Sequence, residues 1–240
     1  MRVMQRINGL LYYFYLRRRG IAKFPSKADT IDKAAWEYLA YKLACKAGII
    51  MSKCMLEKVN GPYHTFLSRR FDREGNERIH FASAMTMTGN TEDKIRDAMP
   101  SYLEIAEFIQ NNGVNILPDL HQLWRRIVFH MAISNTDDHL KNHGFLLDEK
   151  GWRLSPAYDL NPSIDKHGLA LNVDMENNAL DFGLAKSVGP YFQLNNQEMD
   201  QIIKEVISVV KGWRSLARDL GISRAEQEIM SPAFSLVSNR

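Results

Sequence analysis

The stretch SNTDDHLKNHGFLL, residues 134–147, concentrates polar side chains between two apolar segments. Within the seven positions from 137 to 143 stand Asp137, Asp138, His139, Lys141, Asn142 and His143. Such a density of polar groups has little use in packing, because burying them is costly unless each finds a partner. The stretch therefore predicts a loop that carries chemistry.

Asp137 and Asn142 are separated by the spacing D-x-x-x-x-N. Phosphoryl transfer from a nucleotide needs a carboxylate that accepts the proton of an attacking hydroxyl and, close to it, an oxygen ligand for magnesium. Kinases provide both groups at this spacing. Because two polar residues five apart also occur by chance, the spacing needs support from the surrounding sequence.

The sequence after the loop predicts a β-hairpin. GFLL and WRLS flank residues 148–151, a connection that ends in Gly151, and short apolar runs around such a connection are typical of a hairpin. The hairpin returns the chain to SPAYDLNPS, so Asp159, seventeen residues after Asn142, is expected to face it. We predict that Asn142 and Asp159 together hold the metal.

A second candidate for the metal ligand is Asp181 in ALDFGLAKS, where residues 181–183 spell the metal-holding trio of protein kinases. It lies thirty-nine residues after Asn142, and the intervening pattern predicts no second hairpin that would bring it back. Asp181 is instead expected to cap a short helix, FGLAKSV. The trio is thus interpreted as a coincidence, with direct metal binding left as the alternative.

Composition sets broad limits. The chain has 240 residues, of which 45% are hydrophobic and 25% are charged, and its formal net charge of +3 gives little electrostatic attraction for nucleic acid. Two cysteines provide neither a disulfide framework nor a zinc quartet. The apolar stretch at residues 9–16 is too short to span a bilayer. We expect a cytoplasmic protein that does not associate with membranes.

Hydrophobic periodicity predicts a strand-containing front and a helical rear. In the front, a strand is expected at residues 21–25, a helix from about Asp32 to Ala47 ended by Gly48, and two strands around a turn at residues 74–76. No composition shift marks a linker.

In the rear, a helix is expected over residues 101–113. A second helix is expected to begin with a capping box formed by Asp119 and Gln122, and one long helix is expected over residues 198–220.

With IAKFPS, RRFDR, TDDHLKNHGFLL and LSPAYDLNPS in this order, the chain resembles the catalytic C-terminal part of the HipA family, the bacterial Ser/Thr protein kinases of toxin–antitoxin modules. The resemblance runs from about Ile21 to near the C-terminus. It implies an α+β, protein-kinase-like bilobal fold, with a small partial N-lobe over residues 1–75 and a mainly helical C-lobe over residues 76–240.

The resemblance also implies roles for individual residues. Asp137 would be the catalytic base, and Asn142 and Asp159 would hold Mg²⁺. The positions implied to contact ATP are Lys23, Glu37, Arg69, Arg70, Phe71, His139, Lys141, Asn142, Tyr158 and Asp159. Among them, Lys23 would reach the phosphates and pair with Glu37, the residues at 69–71 would line the adenine hinge, and His139 and Lys141 would lie close to the phosphates.

The partners implied are a helix-turn-helix antitoxin of the HipB type, with DNA reached only through it, and a protein substrate such as an aminoacyl-tRNA synthetase. One departure matters: kinases of this type cover the phosphates with a glycine-containing loop, yet only Gly9 precedes Gly20. A non-catalytic pseudokinase that binds nucleotide or antitoxin is therefore the alternative. A metal-dependent hydrolase using the Asp/His cluster is a third reading, although His139 and His143 lack the glutamate of an H-E-x-x-H site and favour hydrogen bonding.

Overall fold

The computed structural model describes residues 20–59, 61–165 and 167–238. The strands are β1 (Gly20–Lys23), β2 (Cys54–Glu57), β3 (Thr65–Arg69), β4 (Arg73–Glu74), β5 (Glu77–Arg78), β6 (Phe81–Ser83), β7 (Gly144–Asp148) and β8 (Gly151–Leu154). The α-helices are α1 (Lys33–Lys46), α2 (Ala84–Met87), α3 (Glu92–Asp97), α4 (Tyr102–Asn112), α5 (Ile116–Ala132), α6 (Phe182–Val188), α7 (Asn196–Val210), α8 (Trp213–Asp219), α9 (Arg224–Met230) and α10 (Ser235–Ser238). Residues 1–19, where the sequence lacks the expected glycine-containing loop, lie outside the described residues.

The front of the molecule is an antiparallel sheet in the order β1–β3–β2, with helix α1 beside it. Lys23 on β1 stands opposite Phe66 on β3. Helix α1 begins where the sequence predicts, because the Asp32 carboxylate accepts a hydrogen bond from the backbone N–H of Ala35. It ends before Gly48, whose φ of 78° is readily adopted only without a side chain.

The two strands predicted around residues 74–76 are only part of what forms there. The turn joins β4 and β5, each two residues long, while the longer β3 and the strand β6 lie outside this small hairpin. Strand β6 leaves the front and pairs with β7, giving a second sheet in the order β6–β7–β8. The predicted hairpin between β7 and β8 is confirmed, with Asp148 opposite Gly151.

Helix α5 runs through the core of the rear part. Its Leu123, Trp124 and Ile127 are fully buried, in agreement with the periodicity of the sequence. The same core extends to α1, where the Trp36 ring lies 6.0 Å from the ring of Trp213 on α8. The front helix is therefore packed directly against the C-terminal helices.

The predicted capping box at the start of α5 is wrong. The helix begins four residues earlier than a cap at Asp119 requires, at Ile116, and Asp119 lies within its first turn, where its carboxylate accepts a hydrogen bond from the Leu154 N–H at 2.8 Å. Gln122 bonds to the backbone of Gly48 and Ile50. Both side chains join α5 to neighbouring elements and do not cap it.

The prediction of a single long helix over residues 198–220 is also wrong, because the helix is interrupted at Gly212 and forms two helices, α7 and α8. The break lets Trp213 turn inward and stack on Phe234, with ring centroids 4.3 Å apart. Among the residues described, no helix has both the length and the apolar character needed to cross a membrane.

Candidate active site

A pocket of about 320 Å³ lies between the front sheet and the segment that follows the β7–β8 hairpin. That volume lies at the lower end of the range of small-molecule sites. The predicted site residues that line it are Lys23, Glu37, Arg69, Arg70, Phe71, Lys141, Tyr158 and Asp159. Residues from distant parts of the sequence thus meet here, among them Lys141 and Tyr158 from either side of the β7–β8 hairpin.

Lys23 is the centre of an ionic cluster at this pocket. Its Nζ donates to Glu37 Oε1 at 2.7 Å and to Asp159 Oδ1 at 2.6 Å. Glu37 comes from α1 and is buried, whereas the Asp159 side chain is 40% exposed. One ammonium group therefore connects the front sheet, the front helix and the segment after the hairpin.

The pKa values in this cluster follow from burial and charge. Burial raises the pKa of Glu37 to about 7, and the neighbouring Lys23 ammonium only partly opposes this. For Lys23, partial burial lowers the pKa, but the carboxylates of Glu37 and Asp159 outweigh it and the net pKa is raised. Lys23 therefore keeps its positive charge in the neutral range.

Asp159 has a strained backbone. Its φ is 58°, a left-handed conformation shared among the described non-glycine residues only by Ser134 and Gln193. Such a conformation costs on the order of 1–3 kcal/mol and persists where the surroundings hold it, often at functional sites. Here the Asn161 amide donates to Asp159 Oδ1 at 3.0 Å, and the Ser163 N–H donates to the Ser134 carbonyl at 3.2 Å. The segment after the hairpin is thus tied to the start of the polar loop.

Aromatic rings form one wall of the pocket. The Phe71 ring lies 5.5 Å from those of Phe81 and Tyr158. Phe71 and Tyr158 are predicted site residues. Phe81 is not, because it reaches the pocket through the pairing of β6 with β7, a long-range contact that no local pattern predicts. Flat apolar rings of this kind suit a planar, weakly polar ligand group.

The two arginines beside this wall differ in their surroundings. Arg70 forms a bidentate pair with Asp72, with Nε to Oδ1 at 2.8 Å and Nη2 to Oδ2 at 2.6 Å. Arg69 lies at the end of β3 and is exposed. Since Asp72 already neutralises the guanidinium of Arg70, we expect Arg70 to shape the pocket wall more than to attract a charged ligand.

Asp137, Asn142 and His139 belong to the polar loop and do not line the pocket itself. Asp137 is exposed, and its backbone carbonyl accepts a hydrogen bond from Asn142 Nδ2 at 3.0 Å. This bond brings the two residues of the D-x-x-x-x-N spacing together. His139 is half-buried, and its Nδ1 has no hydrogen-bond partner.

Lys141 links the loop to the pocket. The Tyr158 hydroxyl donates to the Lys141 carbonyl at 2.7 Å, which holds the residue before Asp159 against the residue before Asn142. The ammonium group of Lys141 pairs with Glu92 on the exposed helix α3. The loop and the Asp159 segment therefore form one continuous surface beside the pocket.

Asp181 stands apart from this pocket. Its carboxylate accepts a hydrogen bond from the Gly183 N–H at 2.7 Å and caps helix α6, as the sequence predicts. Asp181 is not among the residues that line the pocket.

Asp138 has a structural role that the sequence does not predict. It is buried and accepts hydrogen bonds on Oδ2 from the Tyr102 hydroxyl at 2.6 Å and from His143 Nε2 at 2.8 Å. In the sequence, Asp138 is only one more polar residue of the loop. Its buried partner Tyr102 lies thirty-six residues earlier, so no local pattern could reveal the contact.

The sequence model of the HipA-like C-terminal domain matches residues 16–213. The chain belongs to this family. Two curated relatives carry kinase names: "Putative kinase Y4mE" of Sinorhizobium fredii is 22% identical over 211 residues, and a "Putative kinase" of Haemophilus influenzae is 29% identical over 101 residues.

The chain spans 43% of the length of the Sinorhizobium relative and 29% of the Haemophilus one, while the matches cover 84% and 39% of this chain.

Solved structures share the fold. The HipA of Shewanella oneidensis, solved with HipB and operator DNA, superposes with a TM-score of 0.71 at 16% identity, covering 91% of this chain and 57% of that one. The Helicobacter pylori proinflammatory kinase CtkA superposes with a TM-score of 0.64 at 15% identity, covering 92% and 84%. The predicted α+β, kinase-like fold of the HipA family is therefore confirmed.

Proposed function

We propose that this chain is the catalytic part of an ATP- and Mg²⁺-dependent Ser/Thr protein kinase that transfers the γ-phosphoryl group to a protein hydroxyl. The observation that carries the proposal is the meeting of Lys23, Glu37 and Asp159 at a pocket that is also lined by Lys141, from the loop that bears Asp137 and Asn142. Membership of a family whose relatives carry kinase names supports it.

The residues present fit ATP and magnesium. The aromatic wall formed by Phe71, Phe81 and Tyr158 suits the adenine ring, and the Lys23 ammonium suits the phosphates. For the metal, Asp159 offers a carboxylate that faces the pocket. Asn142 donates through Nδ2 to the Asp137 carbonyl, so its other amide atom, Oδ1, is the oxygen a hard cation would take.

Each protein group then has a defined task. The exposed carboxylate of Asp137 orients the substrate hydroxyl and accepts its proton. Lys23 neutralises phosphate charge while Glu37 holds its ammonium in place. Magnesium, when bound by Asp159 and Asn142, would supply further neutralisation of the charge that develops on the phosphates.

Labelled ATP with magnesium and the purified chain tests this proposal, with Asp137→Asn as the matched control. The wild type should transfer phosphate to itself or to added protein at least about 100-fold faster than Asp137→Asn, because general-base catalysis contributes on the order of 10²–10⁴. Equal transfer by the two proteins contradicts the kinase proposal.

A second candidate function is a pseudokinase that binds nucleotide or antitoxin without catalysis. It is favoured by the direct contact of Lys23 Nζ with Asp159 Oδ1 at 2.6 Å, because the Lys23 ammonium then pairs with the carboxylate that is proposed to bind magnesium. Calorimetric binding of ATP, with transfer indistinguishable from that of Asp137→Asn, would select this function.

The wider setting is also a proposal. The Shewanella oneidensis relative was solved with HipB and operator DNA, and we infer by analogy a helix-turn-helix antitoxin as partner, with DNA contacted only through it, in the cytoplasm. A protein substrate such as an aminoacyl-tRNA synthetase rests on the family resemblance alone. Co-purification of this chain with a helix-turn-helix protein, sought first among the products of the neighbouring genes, tests the first inference, and phosphopeptide mapping after induction tests the second.

A further inference from the structure

Directly beside the exposed Asp137 stands a fully enclosed carboxylate. Asp138 is 1% exposed, and its Oδ2 accepts hydrogen bonds from Tyr102 and His143. The Nε2 of His130 lies 3.2 Å from the same oxygen. Burial raises the pKa of this carboxyl, but the two histidines and the hydrogen bonds together hold it well below its ordinary value, so Asp138 is charged.

The partners of Asp138 come from separate elements. Tyr102 is the first residue of α4, His130 lies in the last turn of α5, and His143 directly precedes β7. Hydrogen bonds to a charged acceptor are stronger than neutral ones, so these contacts hold the Asp138 carboxylate firmly, although His143 Nδ1 has no hydrogen-bond partner. A single carboxylate therefore fastens the polar loop to two helices and a strand.

We propose that Tyr102, His130, Asp138 and His143, here called the Asp138 hub, are positioning residues that set the geometry of Asp137 and Asn142. This inference rests on the proposed kinase function. The hub fixes the loop at the positions next to Asp137 and Asn142, because Asp138 follows Asp137 and His143 follows Asn142. Asn142 in turn bonds to the Asp137 carbonyl, so a shift at one end of the loop moves the other.

The hub is held by protons and not by a metal ion. His130, Asp138 and His143 do place one donor atom each within 4.8 Å of one another, which is close enough for a metal. However, the Asn135 amide donates to His130 Nδ1 at 2.8 Å, which leaves the ring proton of neutral His130 on Nε2, facing Asp138. A metal-bound histidine normally donates its other ring N–H to an acceptor, and an amide N–H cannot accept.

Tyr102→Phe tests the hub with the smallest change, since it removes one hydroxyl. The prediction is a kcat lowered about 10-fold or more, because a misplacement of about 1 Å can cost 10²-fold. The KM for ATP should stay within about twofold, since the pocket wall is untouched. Hydrogen–deuterium exchange of the peptide spanning residues 134–144 should become faster.

Two comparisons separate positioning from general stability. Gln227→Met removes another buried hydrogen bond, from Gln227 Nε2 to the Ile222 carbonyl at 2.9 Å, and should change neither loop exchange nor kcat. His143→Gln keeps an N–H donor near the position of Nε2 and should retain most of the activity that His143→Leu loses.

The outcomes decide the proposal separately from the kinase function. If Tyr102→Phe alters neither loop exchange nor kcat, or loosens the loop without lowering kcat, the hub does not position the base. One equivalent of zinc bound by the wild type and lost in His143→Gln would also overturn it, by showing a metal centre. If the wild type forms no more ADP than Asp137→Asn, the kinase proposal fails, and unchanged loop exchange in Tyr102→Phe would then reject the hub as well.

Discussion

At the scale of the residue, the two aspartates that the sequence offers as metal ligands have different environments. Asp159 faces the pocket in a strained conformation and contacts Lys23, whereas Asp181 caps α6. We predict that Asp159→Ala abolishes magnesium-dependent ATP binding in calorimetry. Asp181→Ala should leave binding intact and lower the free energy of unfolding by about 0.5–2 kcal/mol, the usual cost of a lost cap. Loss of ATP binding in Asp181→Ala would restore the D-F-G reading of the sequence.

The buried His130 predicts a distinct acid sensitivity. Burial lowers its pKa from 6.5 to about 4, so between these values the unfolded chain binds a proton that the folded chain does not. The stability contributed by neutral His130 is therefore present above about pH 6.5 and lost as the pH falls toward 4. Urea unfolding at a series of pH values should show the wild type losing stability relative to His130→Gln across this window.

Glu37 gives the opposite pH dependence and so serves as an internal comparison. Burial raises its pKa from 4.5 to about 7, so the folded chain takes up a proton first as the pH falls. Its contribution to stability is present below about pH 4.5 and is lost as the pH rises through 7. Relative to Glu37→Gln, the wild type should gain stability on acidification. A parallel response of the two variants would mean that the acid sensitivity comes from other groups.

At the scale of the element, the sequence predicts those structures whose signals are local. Helix α1 from about Asp32 to Ala47, the β7–β8 hairpin and the Asp181 cap all depend on residues within a few positions of one another, and all are confirmed. The start of α5 was misplaced because Asp119 bonds to Leu154, thirty-five residues away. A side chain used in a tertiary contact can look the same in sequence as one that caps a helix.

The site shows the same division. The β7–β8 hairpin has a local signal, so the contact of Tyr158 with Lys141 on either side of it could be anticipated. The joint metal site of Asn142 and Asp159 stays a prediction. The Asp138 hub could not be anticipated from the sequence, since Tyr102 and His130 approach Asp138 only through the packing of α4 and α5. The break at Gly212 had a signal in the glycine itself, but the apolar periodicity on either side concealed it.

That break has an energetic consequence. Trp213 is 3% exposed, stacks on Phe234 and lies against Trp36 of α1. We predict that Trp213→Ala lowers the free energy of unfolding by about 3–5 kcal/mol, the range for truncating a large buried aromatic side chain. Tyr191→Ala, at a side chain that is 60% exposed, should change it by no more than about 0.5 kcal/mol in the same urea titration. Equal losses would mean that the stack contributes little.

At the scale of the whole molecule, the expected division into residues 1–75 and 76–240 stays a prediction. The contacts of helix α1 with the C-terminal helices bear on whether two such parts could move separately. Helix α1 carries Glu37 toward the pocket on one face and packs Trp36 against α8 and the C-terminal turn on the other. Glu226 of α9 also accepts hydrogen bonds from the Asp32 N–H and from Trp36 Nε1, each at 3.3 Å. The position of Glu37, and through it of Lys23, is thus fixed by the far end of the chain.

This coupling predicts that α1 and α8 open together. In native-state hydrogen exchange at low urea concentrations, peptides from the two helices should approach the same opening free energy, because residues that share a packed core unfold as one cooperative unit. The exposed helix α3, which has no buried residue, should exchange at a much lower free energy and serves as the control. Glu226→Gln weakens the link without emptying the core, and it should lower the opening free energy of α1 more than that of α5. If α1 opened well before α8 in the wild type, the front helix would be a mobile part hinged on the rear, and Glu37 would be free to leave Lys23 without unfolding the C-terminal helices.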